Sequence, residues 1–137
     1  MIVGENSTIV VDTSAIVAIL LGEPEGARFR DVIDQASQCL VTAVSRVEMS
    51  LVLEGRKADI GRVELENILR LTGVEIVAVT PAHADIAIEA FRRFGRGRHK
   101  AGLNMGDCFS YALARALDIP LLFKGDDFAR TDIKVAA

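Results

Sequence analysis

The chain reads as an α/β protein: a three-layer α/β/α sandwich around a central parallel sheet of four to five strands. Three observations predict this. Short β-branched runs alternate with longer segments of helical periodicity, the pattern of parallel strands joined by crossover helices. The strand-like runs are apolar throughout, as strands buried on both faces are. The 137 residues, half of them apolar, suit one domain with a single core, spanning residues 1–137.

Each element follows from local signals. Thr8–Val11 is the first strand, stopped by Asp12. Ser14–Leu21 predicts a helix closed near Gly22 and Pro24. Glu25–Gln35 predicts a second, with Phe29, Val32 and Ile33 on one side. Cys39–Val41 is the second strand. Ser45–Leu53 is a helix ended near Gly55. Asp59–Leu71 is another, with Val63, Ile68 and Leu71 apolar and Gly73 at its C-terminal side. Glu75–Val79 is the third strand. Pro81 suits the first turn of the next helix, Ala82–Phe94. A basic, glycine-containing stretch follows. Asn104–Leu117 is the last long helix, and Pro120 marks its exit. Leu121–Phe123 is the fourth strand, and Asp132–Val135 makes a short fifth.

Composition narrows the function classes. Mean hydropathy is +0.31, enough to bury a core. No apolar run approaches the ~20 residues a bilayer span needs; the longest is Ala15–Leu21. Met1–Asn6 lacks the basic start of a signal peptide, so a cytoplasmic protein without membrane association is expected. Cys39 and Cys108 lack metal-ligand spacing and read as small buried hydrophobes. The net charge of −3 does not advertise nucleic-acid binding, but its distribution is uneven. Of sixteen cationic residues, Arg92, Arg93, Arg96, Arg98 and Lys100 lie within nine positions. One basic segment on an acidic body is an electrostatic guide for an anion, or else a solvated helix end and a flexible loop.

Four acids stand out: Asp12 after the first strand, Glu48 inside an apolar helix, Asp107 at a helix start and Asp126 after the fourth strand. Sites in parallel sheets form at the carboxyl ends of strands. Each acid has an ordinary reading. Asp12 caps the next helix. Ser45-x-x-Glu48 has the capping-box pattern. Asn104 caps a helix that holds Asp107 in its first turn. Asp126 sits in a Gly125 turn. Glu48 strains its ordinary reading most, because Val44, Val47 and Leu51 share its helical face as an apparent core stripe. Asp107 has Met105, Cys108 and Phe109 as neighbours. Carboxylates 4–6 Å apart repel by about 3–4 kcal/mol per pair at an effective dielectric near 20. Gathered together, they call for a divalent cation.

Specific motifs carry a resemblance. Val10-Val11-Asp12-Thr13-Ser14-Ala15 resembles the opening motif of PIN domains, and Thr42-Ala43-Val44-Ser45-Arg46-Val47-Glu48 resembles their second acidic motif. The stretches from Leu103 to Ala114 and from Leu122 to Phe128 resemble the third and fourth. Their order and spacing, from about Thr8 to Ile133, are similar to those of VapC toxins of bacterial toxin–antitoxin pairs.

The resemblance implies a Mg²⁺- or Mn²⁺-dependent endoribonuclease, a homodimer, an RNA substrate and a cognate VapB-type antitoxin. By position, Asp12, Glu48 and Asp107 match the main acids. Asp126 is taken as the fourth, although the register is ambiguous by one and the adjacent Asp127 is then left to brace the turn before Phe128. Asp12 and Asp107 would hold the ion directly, with Glu48 and Asp126 acting through water or at a second ion. Thr13, Ser14 and Ser45 would orient water or a carboxylate, or simply cap helices. Arg92, Arg93, Arg96, Arg98 and Lys100 would bind RNA phosphates without reading bases. No histidine is needed: His83 begins a helix and His99 lies in the basic loop. Asp132 is expected to be structural. Ile16, Leu20, Leu21, Val52 and Leu53 are candidates for an antitoxin groove or dimer surface, or plain core. Two other readings compete. A haloacid-dehalogenase-like phosphatase also places an aspartate after its first strand, but usually has Asp or Thr two positions later, where this chain has Ser14. A non-catalytic PIN-like binding module would keep the fold without the chemistry.

Overall fold

The computed structural model describes residues 7–136; the leader expectation for Met1–Asn6 lies outside them. Four parallel strands form one sheet in the order β3-β2-β1-β4. They are β1 (Thr8–Val11), β2 (Gln38–Thr42), β3 (Glu75–Val77) and β4 (Leu121–Leu122). In register, Val10 stands between Leu40 and Leu121. The helices are α1 (Thr13–Leu20), α2 (Gly26–Gln35), α3 (Ala43–Thr72), α4 (Pro81–Phe94) and α5 (Met105–Leu117).

The three layers follow from the two-residue period of a strand. Ile9, Val11, Cys39, Val41 and Leu122 point to one face, where they pack with Ala15 and Ile16 of α1, Phe29 and Ile33 of α2, and Met49 and Leu53 of α3. Val10, Leu40 and Leu121 point to the other, against Ala90 and Phe94 of α4 and Tyr111 and Leu113 of α5. The central strand is apolar throughout because both of its faces are covered.

Two expectations change. The two helices expected over Ser45–Leu53 and Asp59–Leu71 form one bent element, broken at Ala58 (φ 52°, ψ −135°) rather than at Gly55. Beyond the break, Gly61 presses against the backbone of Leu53, where a Cβ would stand 2.8 Å from the carbonyl carbon. The fifth strand reduces to one bridge between Leu121 and Val135, because Asp132 is held aside by the Tyr111 hydroxyl (2.6 Å) and Arg93 (3.5 Å). That tether is the structural role expected of Asp132. Pro81 opens α4 behind a Thr80 cap, and Gly73 closes α3 at φ 65°, both as expected. No helix among the described residues is long and apolar enough to cross a membrane.

Candidate active site

The carboxyl ends of β1, β2 and β4 open towards one another, and α5 starts beside them. Asp12, the residue after β1, is nearly fully buried. Its Oδ2 accepts from the Ser14 amide (3.0 Å) and the Ser14 hydroxyl (2.7 Å). Its Oδ1 accepts from the Ser110 hydroxyl (2.6 Å). The capping reading of Asp12 is therefore correct, and its other oxygen is held by α5. Ser14 also accepts from the Lys124 amide (3.0 Å), which ties the β4 loop to the same carboxylate.

The environment of Glu48 differs from the expected one. Val47 and Leu51 are 59% and 70% exposed, so they form no core stripe; the inward face of α3 is Ser45, Met49 and Leu53. Nor does Ser45 start a capping box. Thr42 caps α3 through the Val44 amide, and Ser45 is fully buried one turn inside. Glu48 is instead half-buried by α5 crossing over it. A Cβ on Gly106 would lie 2.9 Å from the Glu48 carboxyl carbon, so only glycine leaves room for this carboxylate. Desolvation raises its pKa, the Thr13 hydroxyl opposes that by hydrogen bonding, and the Asp12 charge adds to the rise.

Asn104 caps α5 as expected, and Asp107 returns the bond: Asn104 Oδ1 accepts from the Asp107 amide (2.9 Å) and Asp107 Oδ2 accepts from the Asn104 amide (3.0 Å). Burial nevertheless pushes the Asp107 carboxyl up to about 7; the Asn104 bond resists, and the charges of Asp12, Glu48 and Asp127 push further. Asp127 makes no side-chain bond to the turn it precedes, so it does not brace that turn as expected. Its charge instead reaches Asp107. Asp126 and Asp127 are both exposed.

The basic segment is an ordered turn rather than a loose loop. The Arg96 amide donates to Leu103, and the His99 amide donates to Gly95. His99 Nδ1 accepts from the Ala101 amide while its ring meets Phe94 edge-on. Arg92 pairs with Glu89, Arg93 with Asp132, and Arg98 lies over Phe91. Among the described residues, Arg96 and Lys100 have no ion-pair partner. The turn leads directly into α5, the helix whose first turn carries Asp107. Cys39 and Cys108 are buried, with thiols pushed up to about 11 by desolvation, as inert hydrophobes should be. Of the groove candidates, Ile16 and Leu53 are core, and Leu20, Leu21 and Val52 are half-buried.

The donor chemistry fits a hard divalent cation: all oxygen, several carboxylates and a raised Asp107 that lacks a cationic partner. The acids are not drawn in around a common point. Among the described residues, no three acidic, histidine or cysteine side chains form a group able to enclose an ion. Asp12 is turned to its serines and Asp107 to its own cap.

The parallel sheet with acids at its strand ends defines a class. The family model described as "PIN domain" matches residues 9–134, and the chain belongs to that family. Within it, its relatives are VapC ribonucleases. It is 47% identical over 128 residues to ribonuclease VapC30 of Mycobacterium tuberculosis, covering 93% of this chain and 98% of that one. It is 45% identical over 124 residues to ribonuclease VapC of Mycolicibacterium smegmatis, covering 90% and 96%. Among solved structures, VapC20 of M. tuberculosis, described as a toxin cleaving the sarcin–ricin loop, superposes with a TM-score of 0.74 at 20% identity, covering 91% and 95%. The toxin–antitoxin complex VapBC2 of Rickettsia felis, bound to promoter DNA, gives 0.71 at 12% identity, covering 93% and 96%. These two likenesses speak for the fold.

Proposed function

We propose that this chain is a Mg²⁺- or Mn²⁺-dependent endoribonuclease, the toxin of a toxin–antitoxin pair. One observation carries the reading: three acids from separate elements stand at one end of the sheet, with Asp12 bonded to Ser110 of α5 and Glu48 packed against Gly106, the residue before Asp107. Asp12, Glu48 and Asp107 are the residues that would hold the ion. Asp127 is the better fourth acid, because its charge is felt at Asp107; Asp126, one residue earlier, is the alternative. A divalent ion held by these carboxylates would supply Lewis acidity towards a phosphate and lower the pKa of water. Around it the chain's own residues do the rest. Ser14 and Ser110 fix the plane of the Asp12 carboxylate. Gly106 leaves space for Glu48. Arg96, Lys100 and the partly paired Arg92, Arg93 and Arg98 attract RNA phosphates beside the acids. Family membership leaves the phosphatase reading without support.

The partners are a VapB-type antitoxin and a second copy of this chain, with residues 1–137 forming one domain in the cytoplasm. The antitoxin reading is supported by relatives named VapC and by similar folds solved as toxin–antitoxin complexes. The dimer reading is supported by uncovered apolar side chains near the acids: Val47 and Leu51 on α3, and Ile88, Phe91 and Met105 along an open groove of about 520 Å³ between α4 and α5. The test is incubation with a structured RNA, with and without Mg²⁺ or Mn²⁺, beside Asp107→Asn. Metal-dependent cleavage by the wild type alone supports the nuclease. Divalent-ion binding without cleavage of any RNA offered points to a different RNA substrate, and absence of both favours the non-catalytic module and overturns the acid-site reading.

A further inference from the structure

We infer that Ser110 is a positioning residue for the Asp12 carboxylate, and that Ser45 acts on Asp12 only through Ser110. The inference rests on the acid-site reading above. Ser110 and Ser45 are both fully buried, on α5 and α3, and their hydroxyl oxygens are 3.1 Å apart. A hydroxyl has one proton to give. Ser110 lies 2.6 Å from Asp12 Oδ1, a carboxylate oxygen that only accepts, so its proton points there. The proton between the two serines must then come from Ser45. The direction is fixed: Ser45 donates to Ser110, and Ser110 donates to Asp12. The Thr13 hydroxyl donates separately to the Ser45 carbonyl (3.4 Å), so hydroxyls on α1, α3 and α5 meet beside Asp12.

The placement is symmetrical. Ser45 lies three residues before Glu48 on α3, and Ser110 three residues after Asp107 on α5. Residues three apart share a helix face, so each helix presents one hydroxyl inward and one acid at the rim. Among the described residues, every buried side-chain nitrogen and oxygen has a partner. Removing the Ser110 hydroxyl leaves Asp12 Oδ1 without its donor and Ser45 without its acceptor. The carboxylate is then free to turn away from the other acids.

The experiment compares wild type, Ser45→Ala, Ser110→Ala and the double variant. Mn²⁺ affinity of the metal-stripped proteins is read by calorimetry, RNA cleavage as separate kcat and KM, and folding by circular dichroism. Ser110→Ala should weaken Mn²⁺ binding about tenfold and lower kcat with KM for RNA unchanged, and Ser45→Ala should do the same about threefold. The double variant should match Ser110→Ala alone. Multiplying effects in the double variant overturn the relay, as does a Ser110→Ala protein with wild-type Mn²⁺ affinity and kcat. If Ser110→Ala does not fold, Ser45→Ala decides alone, since its hydroxyl does not touch the acid; wild-type behaviour there overturns the inference. A wild type that neither binds Mn²⁺ nor cuts RNA overturns the acid-site reading itself, a result distinct from failure of the relay.

Discussion

Gly106→Ala separates the site from the fold. Gly106 lies in the first turn of α5, where alanine is the better helix former by up to about 1 kcal/mol. The obstacle is Glu48: the new methyl carbon would sit 2.9 Å from its carboxyl carbon and from Oε1, where ordinary contact needs about 3.5 Å or more. The backbone of α5 is held by its Asn104 cap and by Cys108 and Tyr111 in the core, whereas the end of a glutamate side chain rotates freely. The carboxylate therefore gives way, by roughly 1 Å. A displacement of that size in a catalytic constellation costs about 10²-fold in rate. The thermal midpoint should stay within about 2 °C of wild type, since the propensity gain offsets the cost of moving Glu48. The assay is kcat/KM for metal-dependent RNA cleavage beside a melting curve. Full activity in a folded Gly106→Ala protein would refute the argument, because Glu48 would then not need the place the structure gives it.

Other expectations follow from the same geometry. Asp12→Asn should abolish cleavage with the circular dichroism spectrum unchanged, and Asp127→Asn should cost more activity than Asp126→Asn; the reverse order would restore the earlier register. The Asp107 carboxyl is raised in the folded chain above its ordinary 3.8, so the native state holds this proton more tightly than the unfolded one. In chelator, its stabilising effect is full below pH 4 and is lost as pH rises towards about 7, and Asp107→Asn should flatten that part of a melting-temperature profile. Arg96→Gln with Lys100→Gln should raise KM for RNA and reduce its salt dependence at unchanged kcat; an unaltered salt slope would remove these cations from the substrate path. Ala58→Gly should raise the thermal midpoint by about 3–4 °C, since a β-carbon at positive φ costs about 1 kcal/mol, while cleavage stays at wild-type level.

The sequence by itself determined the layers. Apolar β-branched runs between helical periods allow only a covered parallel sheet, and such a sheet places Asp12 and the Gly125 turn at one end. Three helix ends were equally legible, because Pro81, Gly73 and Asn104 act over a few bonds, whereas the capping box read at Ser45-x-x-Glu48 is absent and Thr42 caps that helix. The tertiary structure decided which face of α3 turns inward. Val44, Val47 and Leu51 have the spacing of a core stripe, yet the buried set is Ser45, Met49 and Leu53. Spacing gives the period of a helix, but its rotation is set by what packs against it, and here Met49 and Leu53 face the sheet and α1. Ser110 and Gly106 were silent for the same reason: a serine inside a helix and a glycine in a first turn have ordinary local explanations. Their roles exist only because Asp12, 98 residues from Ser110, and Glu48, on another helix, arrive against them. The pair Asp126 and Asp127 shows the limit most plainly, since neighbours in sequence differ in which charge is felt across space at Asp107.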